Sequence, residues 1–420
     1  MINPMIHDED SNTGNNFNLK LWWLTFSRNF DWPIFVMMIS LIVFGLVMVF
    51  SATMFLPIEG GAPQPIDSVF KQMAAAMMGL ILGIIAFIVP YKHYKNPFLL
   101  LVGMGVILVL LIYTHFFGQE ANGAKSWIYL FGFSFQSSEL IKIFAVLSLS
   151  WLIEYTGREF RWSREEFTDT PIPWLLIFSL LLNLFLIFLQ PDLGMLLIII
   201  LTLVFLWIIH RERKLRNLLF YFALLIILTV TYLFSNHFSE SLITSTSHTL
   251  QRLGIYVNPF ADPTDIGYQL VNGYIAISKG GWFGQGIGDG SMKYGQIPAI
   301  HNDFIIANIA EELGFVGVFI LFLLFVFLYI RIFRWSVRVE DSFRAKVISG
   351  LGLVLAIQTT INLGGVLGII PLTGVTLPFI SSGGSSMIIS IICIFVILKM
   401  IFHDKLEVYL EKEGEKIASY

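Results

Sequence analysis

The side chains most able to do chemistry in this chain fall into four groups. In "NPFADPTDIGYQ", Asn258 to Gln269, Asp262 and Asp265 lie three apart among residues that break regular structure. A carboxylate there could serve as a general base, although Asp before Pro is also an ordinary turn. In "SSELIKIF", Glu139 and Lys142 share one helical face. They form either a pair that hides its own charge or a buried charge facing a cavity. Asp192 in "QPDLG" can cap the helix that follows. In "HNDFIIANIAEELG", Asp303 can cap a helix start, while Glu311 and Glu312 lie two turns inside and need partners.

The elements that must carry these groups are apolar. Of 420 residues, 56% are hydrophobic and 13% charged, against about 25% charged in soluble domains. Cys393 is alone, which excludes an internal disulfide and a cysteine zinc site. The polar start "MINPMIHDEDSNTGNN" reads as a disordered tail rather than a signal peptide. Ten apolar runs are near the length that spans a bilayer: 33–54, 69–89, 97–117, 135–155, 171–189, 193–209, 217–235, 303–330, 346–369 and 383–402. The expected fold is therefore all-α, a polytopic membrane protein of ten transmembrane helices. A cytoplasmic tail (1–30) would precede the membrane domain (31–403), and a second tail (404–420) would follow it.

Basic residues set the orientation. Lys20, Arg28, Lys92, Lys95, the Arg158–Arg164 group, the Arg211–Arg216 group, the Arg331–Lys346 group and the C-terminal lysines all fall on one side of a ten-span arrangement. That side is cytoplasmic. Both termini are then inside, and the large polar loop 236–302 between spans seven and eight faces outward, carrying Asp262. In the same loop "GGWFGQGIGDGS", Gly280 to Ser291, lacks the GxGxxG spacing and any βαβ setting, so nucleotide chemistry and a nucleic-acid partner are not expected. It reads either as a tight loop or as backbone amides approaching an anionic head group.

Seven motifs, in order, carry a resemblance. "NGAKSWIYL" (Asn122 to Leu130), "FQSSELIKI", "QPDLG", "NPFADPTDIGYQL", "GGWFGQGIGDGS", "NDFIIANIAEELGFVG" and "PLTGVTLPFISSGGSS" (Pro371 to Ser386) are similar to those of the SEDS family of shape, elongation, division and sporulation proteins. The loop motifs and "TGVTLPF" resemble its division branch more than its elongation branch. The resemblance implies a ten-span peptidoglycan glycosyltransferase that polymerises lipid II on the outer leaflet of the bacterial plasma membrane, at the division septum. It also implies a class B penicillin-binding protein as partner, alongside other divisome proteins.

By the same resemblance Asp262 is the essential acid. Lys142, Glu139, Trp127, Lys125, Asp192, Asp303 and Ser381, at motif positions, and Arg252, which fits the family pattern, are the expected substrate-binding residues. The family's product is β-linked and its donor α-linked, so the transfer inverts and needs a base opposite the leaving group. The leaving diphosphate needs cationic stabilisation, for which a divalent cation (Mg2+ or Mn2+) is a candidate cofactor, although no dedicated metal cluster is visible. The chain departs from the family pattern at Ala299 and Asn302, where Glu and Thr are common, and at Ser137 and Ser382. Two other classes compete: a lipid II transporter, which would need midplane charges on facing helices, and a divisome scaffold, which would tolerate loss of Asp262.

Overall fold

The computed structural model describes residues 26–54, 65–121, 124–130, 133–156, 171–210, 254–256, 258–260, 267–297 and 300–418. Its helices are α1 (Trp32–Thr53), α2 (Pro65–Ile88), the single turn α3 (Tyr91–Tyr94), α4 (Pro97–Phe117), α5 (Ile141–Tyr155), α6 (Ile172–Leu189), α7 (Leu193–Ile209), α8 (Tyr268–Gly280), α9 (Ile305–Arg338), α10 (Ser342–Val366) and α11 (Gly384–Ala418). Between α4 and α5 stands an antiparallel sheet of β1 (Gln119–Ala121), β2 (Ala124–Leu130) and β3 (Phe133–Gln136). The fold is thus mostly helical rather than all-α. Among the described residues seven helices are long and apolar enough to cross a membrane, and α7 is a shorter apolar helix. The predicted seventh span, 217–235, lies outside the described residues.

Local chemistry explains the helix starts on one side. Asp31 caps α1 by accepting from Ile34 N, Asn96 caps α4 from Phe98 N, and Asp341 caps α10 from Arg344 N. Pro33, Pro97 and Pro173 occupy first-turn positions, where a missing N–H costs nothing. "QPDLG" separates two helices, as the length of 171–209 required, and Asp192 caps α7 through Met195 N.

Two contacts set the depth of the bundle. At one end the Asp31 carboxylate accepts from Arg331 Nε at 2.8 Å and from Trp335 Nε1 at 2.7 Å. At the other, Ser51 Oγ donates to Glu312 Oε1 at 2.6 Å. The stretches from residue 31 to 51 on α1 and from 312 to 331 on α9 each rise about 30 Å at 1.5 Å per residue, one hydrocarbon thickness. The Arg331 end also holds the Lys95–Glu154 and Arg344–Asp404 ion pairs. Among the described residues, Lys95, Arg331, Arg344 and Lys405 carry ion pairs at that end.

Two predicted spans differ in detail. The fourth, 135–155, is helical only from Ile141, because Phe133–Gln136 pairs with β2 and Ser137–Glu139 forms a 3-10 turn. Lys142 therefore stands in the first turn of its helix, at the end away from the Lys95–Glu154 pair. Counting from Glu154, it lies about 18 Å along the helix, short of the roughly 30 Å of a full span. The eighth predicted span becomes the 34-residue α9, broken at Gly314 with φ 67°.

After α10 the chain does not turn back at the boundary. Residues 367–383 run without helix into the bundle, where Ile380 packs on Gly45, part-way down α1. Irregular backbone at membrane depth survives only if protein satisfies its polar groups. Asn362 Nδ2 donates to the Val375 carbonyl, Gln358 Nε2 to that of Thr376, and Gln72 Nε2 to those of Ile380 and Ser381. Ser382 N donates to His301 O at 2.9 Å. These bonds place "PLTGVTLPFISSGGSS" in the centre, ahead of α11.

Candidate functional site

At membrane depth a ring of buried polar side chains joins four elements. Lys142 Nζ donates to Glu139 Oε2 and to Gln358 Oε1, both at 2.8 Å, and only 2% of its side chain is exposed. Gln358 on α10 passes the chain on to Ser386 Oγ of α11 at 3.0 Å. The ammonium is thus held by one carboxylate and one neutral acceptor. An i,i+3 pair alone would be a self-contained structural feature. Here the lysine reaches past its own helix to the central segment.

Beside it, Asp192 Oδ2 accepts from Gln136 Nε2 at 2.6 Å and from Ser138 Oγ at 2.8 Å, while Oδ1 caps α7. Ser385 Oγ accepts from Gln136 N and donates to Ser134 O, tying β3 to the start of α11. Trp127 on β2 is half-buried and paired in register with Gln136. The register therefore sets Trp127 opposite Gln136, three residues before Glu139. Lys125 lies on the same strand, with its side chain outside the described residues.

Asp303 does not cap α9: the cap is Phe304, without a side-chain bond. Its carbonyl instead accepts from Asn362 Nδ2 at 2.9 Å, which fastens the start of α9 to α10. Ser381 is buried and its Oγ accepts from Leu377 N, closing the central turn. His301 stands next to that turn through its carbonyl, and burial pushes its imidazole below the ordinary value, toward the neutral form. Asp262, Asp265 and Arg252 lie outside the described residues.

A second buried cluster answers the question that Glu311 and Glu312 raised. Glu312 pairs with Lys293 Nζ at 2.8 Å, with both side chains fully buried, and accepts from Ser51 of α1. Lys293 also donates to Gly288 O at 2.6 Å. Glu311 Oε1 accepts from Ser291 N at 2.8 Å and Met292 N at 3.2 Å. The glycine loop rests on the break in α9, where Gln285 N and Gly286 N reach the carbonyls of Glu311 and Glu312, and Phe315 N and Val316 N reach those of Gly281 and Trp282. The backbone groups freed by the break are satisfied in this way. A Cβ at Gly280 would stand 1.8 Å from Ala310 O, so the close approach needs glycine there. The amides of "GGWFGQGIGDGS" at Gly284, Gln285, Gly286, Asp289 and Ser291 are taken by the protein's own acceptors, which favours the tight-loop reading over an anion cradle.

Spacing did not single out Gln358, Gln136, Ser138, Ser51 or Lys293. The available signals were a glutamine inside an apolar helix and two glutamates still in need of a cation. Among the described residues no group of three or more His, Cys, Asp or Glu could hold a metal ion.

Lys142, Asp192 and the "PLTGVTLPFISSGGSS" segment thus meet at one membrane-depth site, and comparison with known proteins places the whole arrangement. The FtsW/RodA/SpoVE family model, described as "Cell cycle protein", matches residues 31–406. The chain belongs to this family. It is 34% identical to the "Probable peptidoglycan glycosyltransferase FtsW" of Bacillus subtilis (strain 168), over 86% of this chain and 88% of that one. Among solved structures it is similar, at 27% identity and TM-score 0.65, to a chain from "Structural coordination of polymerization and crosslinking by a peptidoglycan synthase complex", covering 89% of this chain and 98% of that one. The crystal structure of Thermus thermophilus rod shape determining protein RodA shares the fold, with TM-score 0.59, 24% identity and coverage of 89% and 97%. The resemblance read from the seven motifs holds, and the buried ring of Lys142 is a feature of a family member's interior.

Proposed function

We propose that the chain is a peptidoglycan glycosyltransferase of the division type, which polymerises lipid II into glycan strands at the outer face of the plasma membrane. The single observation that carries the reading is the Lys142 ring. A charged amine at membrane depth is costly and marks function by default. Here it is held between Glu139 and Gln358 at the head of a bundle whose family relatives are named for this activity. A ten-span arrangement with both termini cytoplasmic and location at the septum complete the proposal. The partner would be a class B penicillin-binding protein, which would cross-link the product.

In this mechanism the Asp262 carboxylate removes the proton from the 4-hydroxyl of the acceptor sugar. That oxygen attacks the anomeric carbon of the donor as its bond to the diphosphate breaks, and the α-linkage becomes β. Lys142 and Arg252 offset the charge that develops on the leaving diphosphate. Trp127, Lys125, Asp192, Asp303 and Ser381 shape or line the path to it. Asp262 precedes Pro263, which biases it toward an extended backbone, whereas Asp265 lies in the following turn ahead of Gly267.

The test is lipid II polymerisation by the purified protein with its penicillin-binding partner. Asp262→Asn keeps shape and removes basicity, and should lower the rate by about 10²- to 10⁴-fold while lipid II binding persists. Asp265→Asn should leave most activity. Reversed phenotypes move the base to Asp265. Normal polymerisation by both variants removes the enzymatic reading of this loop.

A further inference from the structure

The loop that follows α8 presents large apolar side chains that the bundle does not cover. Trp282 is 69% exposed, Phe283 81% and Ile287 59%. Their setting is rigid: Gly281 O and Trp282 O accept from Phe315 N and Val316 N at 2.9 and 3.1 Å, across the break in α9. Trp282 meets Phe315 edge-on at 5.3 Å between ring centroids, and Phe315 stacks on Phe319 at 5.9 Å. Phe315, Phe319 and Ile320 are themselves exposed on the membrane-facing side of α9. The apolar tip thus continues the lipid-facing strip of a spanning helix.

Depth fixes what covers it. Between Arg334 and Gly314, α9 rises about 30 Å, one hydrocarbon thickness. Trp282 is hydrogen-bonded through its carbonyl to Val316 N at the level of that limit, where an amphipathic indole settles between acyl chains and head groups, and Phe283 follows it in the same loop. At the opposite limit the chain does the same, with Trp32 opening α1 and Trp174 in the first turn of α6, both exposed.

We infer that Trp282 and Phe283 form an interfacial anchor, seated in the head-group boundary of the bilayer at the end of the bundle away from Arg331. The occupant of this surface is lipid. The loop is therefore a membrane-resting platform at the boundary where α9 breaks, rather than a fully solvated excursion. This inference rests on the depth of α9 and not on the glycosyltransferase reading.

Phe283→Cys in a Cys393→Ser background, labelled with an environment-sensitive fluorophore in nanodiscs without any partner chain, tests it. A Val43→Cys label on the exposed middle of α1 serves as the deep reference. The anchor predicts emission shifted to the blue, with quenching by a nitroxide at the top of the acyl chain about twofold or more stronger than by one near its end, as expected for a ring at the interface. The Val43 label should show the opposite order. Water-like emission with efficient iodide quenching overturns the inference, as does stronger quenching by the deep nitroxide. Protection that develops only when a penicillin-binding protein is added assigns the surface to a protein and also overturns it. Polymerase assays move none of these readouts.

Discussion

Lys293→Met exposes how the glycine loop is held. Lys293 and Glu312 face each other at 2.8 Å with both side chains fully buried. At an effective dielectric of about 20 two unit charges at that separation attract by about 6 kcal/mol, most of which offsets the cost of removing both from water. Removing the lysine alone leaves the Glu312 carboxylate with the Ser51 hydroxyl as its remaining donor. Breaking a buried pair in this way typically costs about 3–5 kcal/mol. The loss should be local, because the loop is also tied down through Glu311 and the break in α9. Opening that costs about 3 kcal/mol less occurs on the order of 100-fold more often, which native-state proteolysis of the loop in nanodiscs reads as a faster cleavage rate. The double variant Lys293→Met/Glu312→Gln removes both charges and should recover most of the protection. A single variant cleaved at the wild-type rate would refute the reasoning, and a double variant cleaved as fast as the single would show that packing, not the stranded charge, governs the loop.

Three further outcomes follow from named contacts. Exchanging Glu139 and Lys142 keeps a pair of opposite charges but moves the ammonium away from Gln358, so a folded protein with polymerisation lowered at least about tenfold is expected; full activity of the swap would make the pair merely structural. Gly314→Ala places a Cβ 2.4 Å from Gly284 N at a backbone of φ 67°, which should destabilise by about 1–3 kcal/mol or more and lower the thermal midpoint, with an unchanged midpoint counting against the break as described. His210, beyond the end of α7, lies 3.2 Å from Ser349 Oγ, and burial with the nearby Lys346 pushes its pKa from 6.5 down to about 4. The unfolded chain then takes up the proton first, so this contribution to stability is intact above pH 6.5 and is lost as pH falls from 6.5 toward about 4. Midpoints of the wild type and His210→Gln should diverge over that interval and nowhere above it.

Much of this protein was determined by its sequence alone. Apolar run lengths located α1, α2, α4, α6, α7, α9, α10 and α11 within a few residues at most ends, because a helix crossing lipid must be apolar around and about 30 Å long. The Asp192 cap and the separation of α6 from α7 were also legible, since both follow from local backbone chemistry. The seven motifs identified the family. Composition could not reveal the three-stranded sheet, because "AKSWIYL" and "FSFQ" form strands by pairing with each other and not by their own periodicity. Only tertiary structure decided how deep Lys142 lies: its depth depends on the sheet consuming the first part of the predicted fourth span. The partners of Glu311, Glu312 and Lys142 were equally beyond local reading. Ser51 and Glu312 lie 261 positions apart, and Lys142 and Gln358 lie 216 apart. Such contacts have no period in the sequence. They are selected when buried polar groups, denied water, must find one another across the packed bundle.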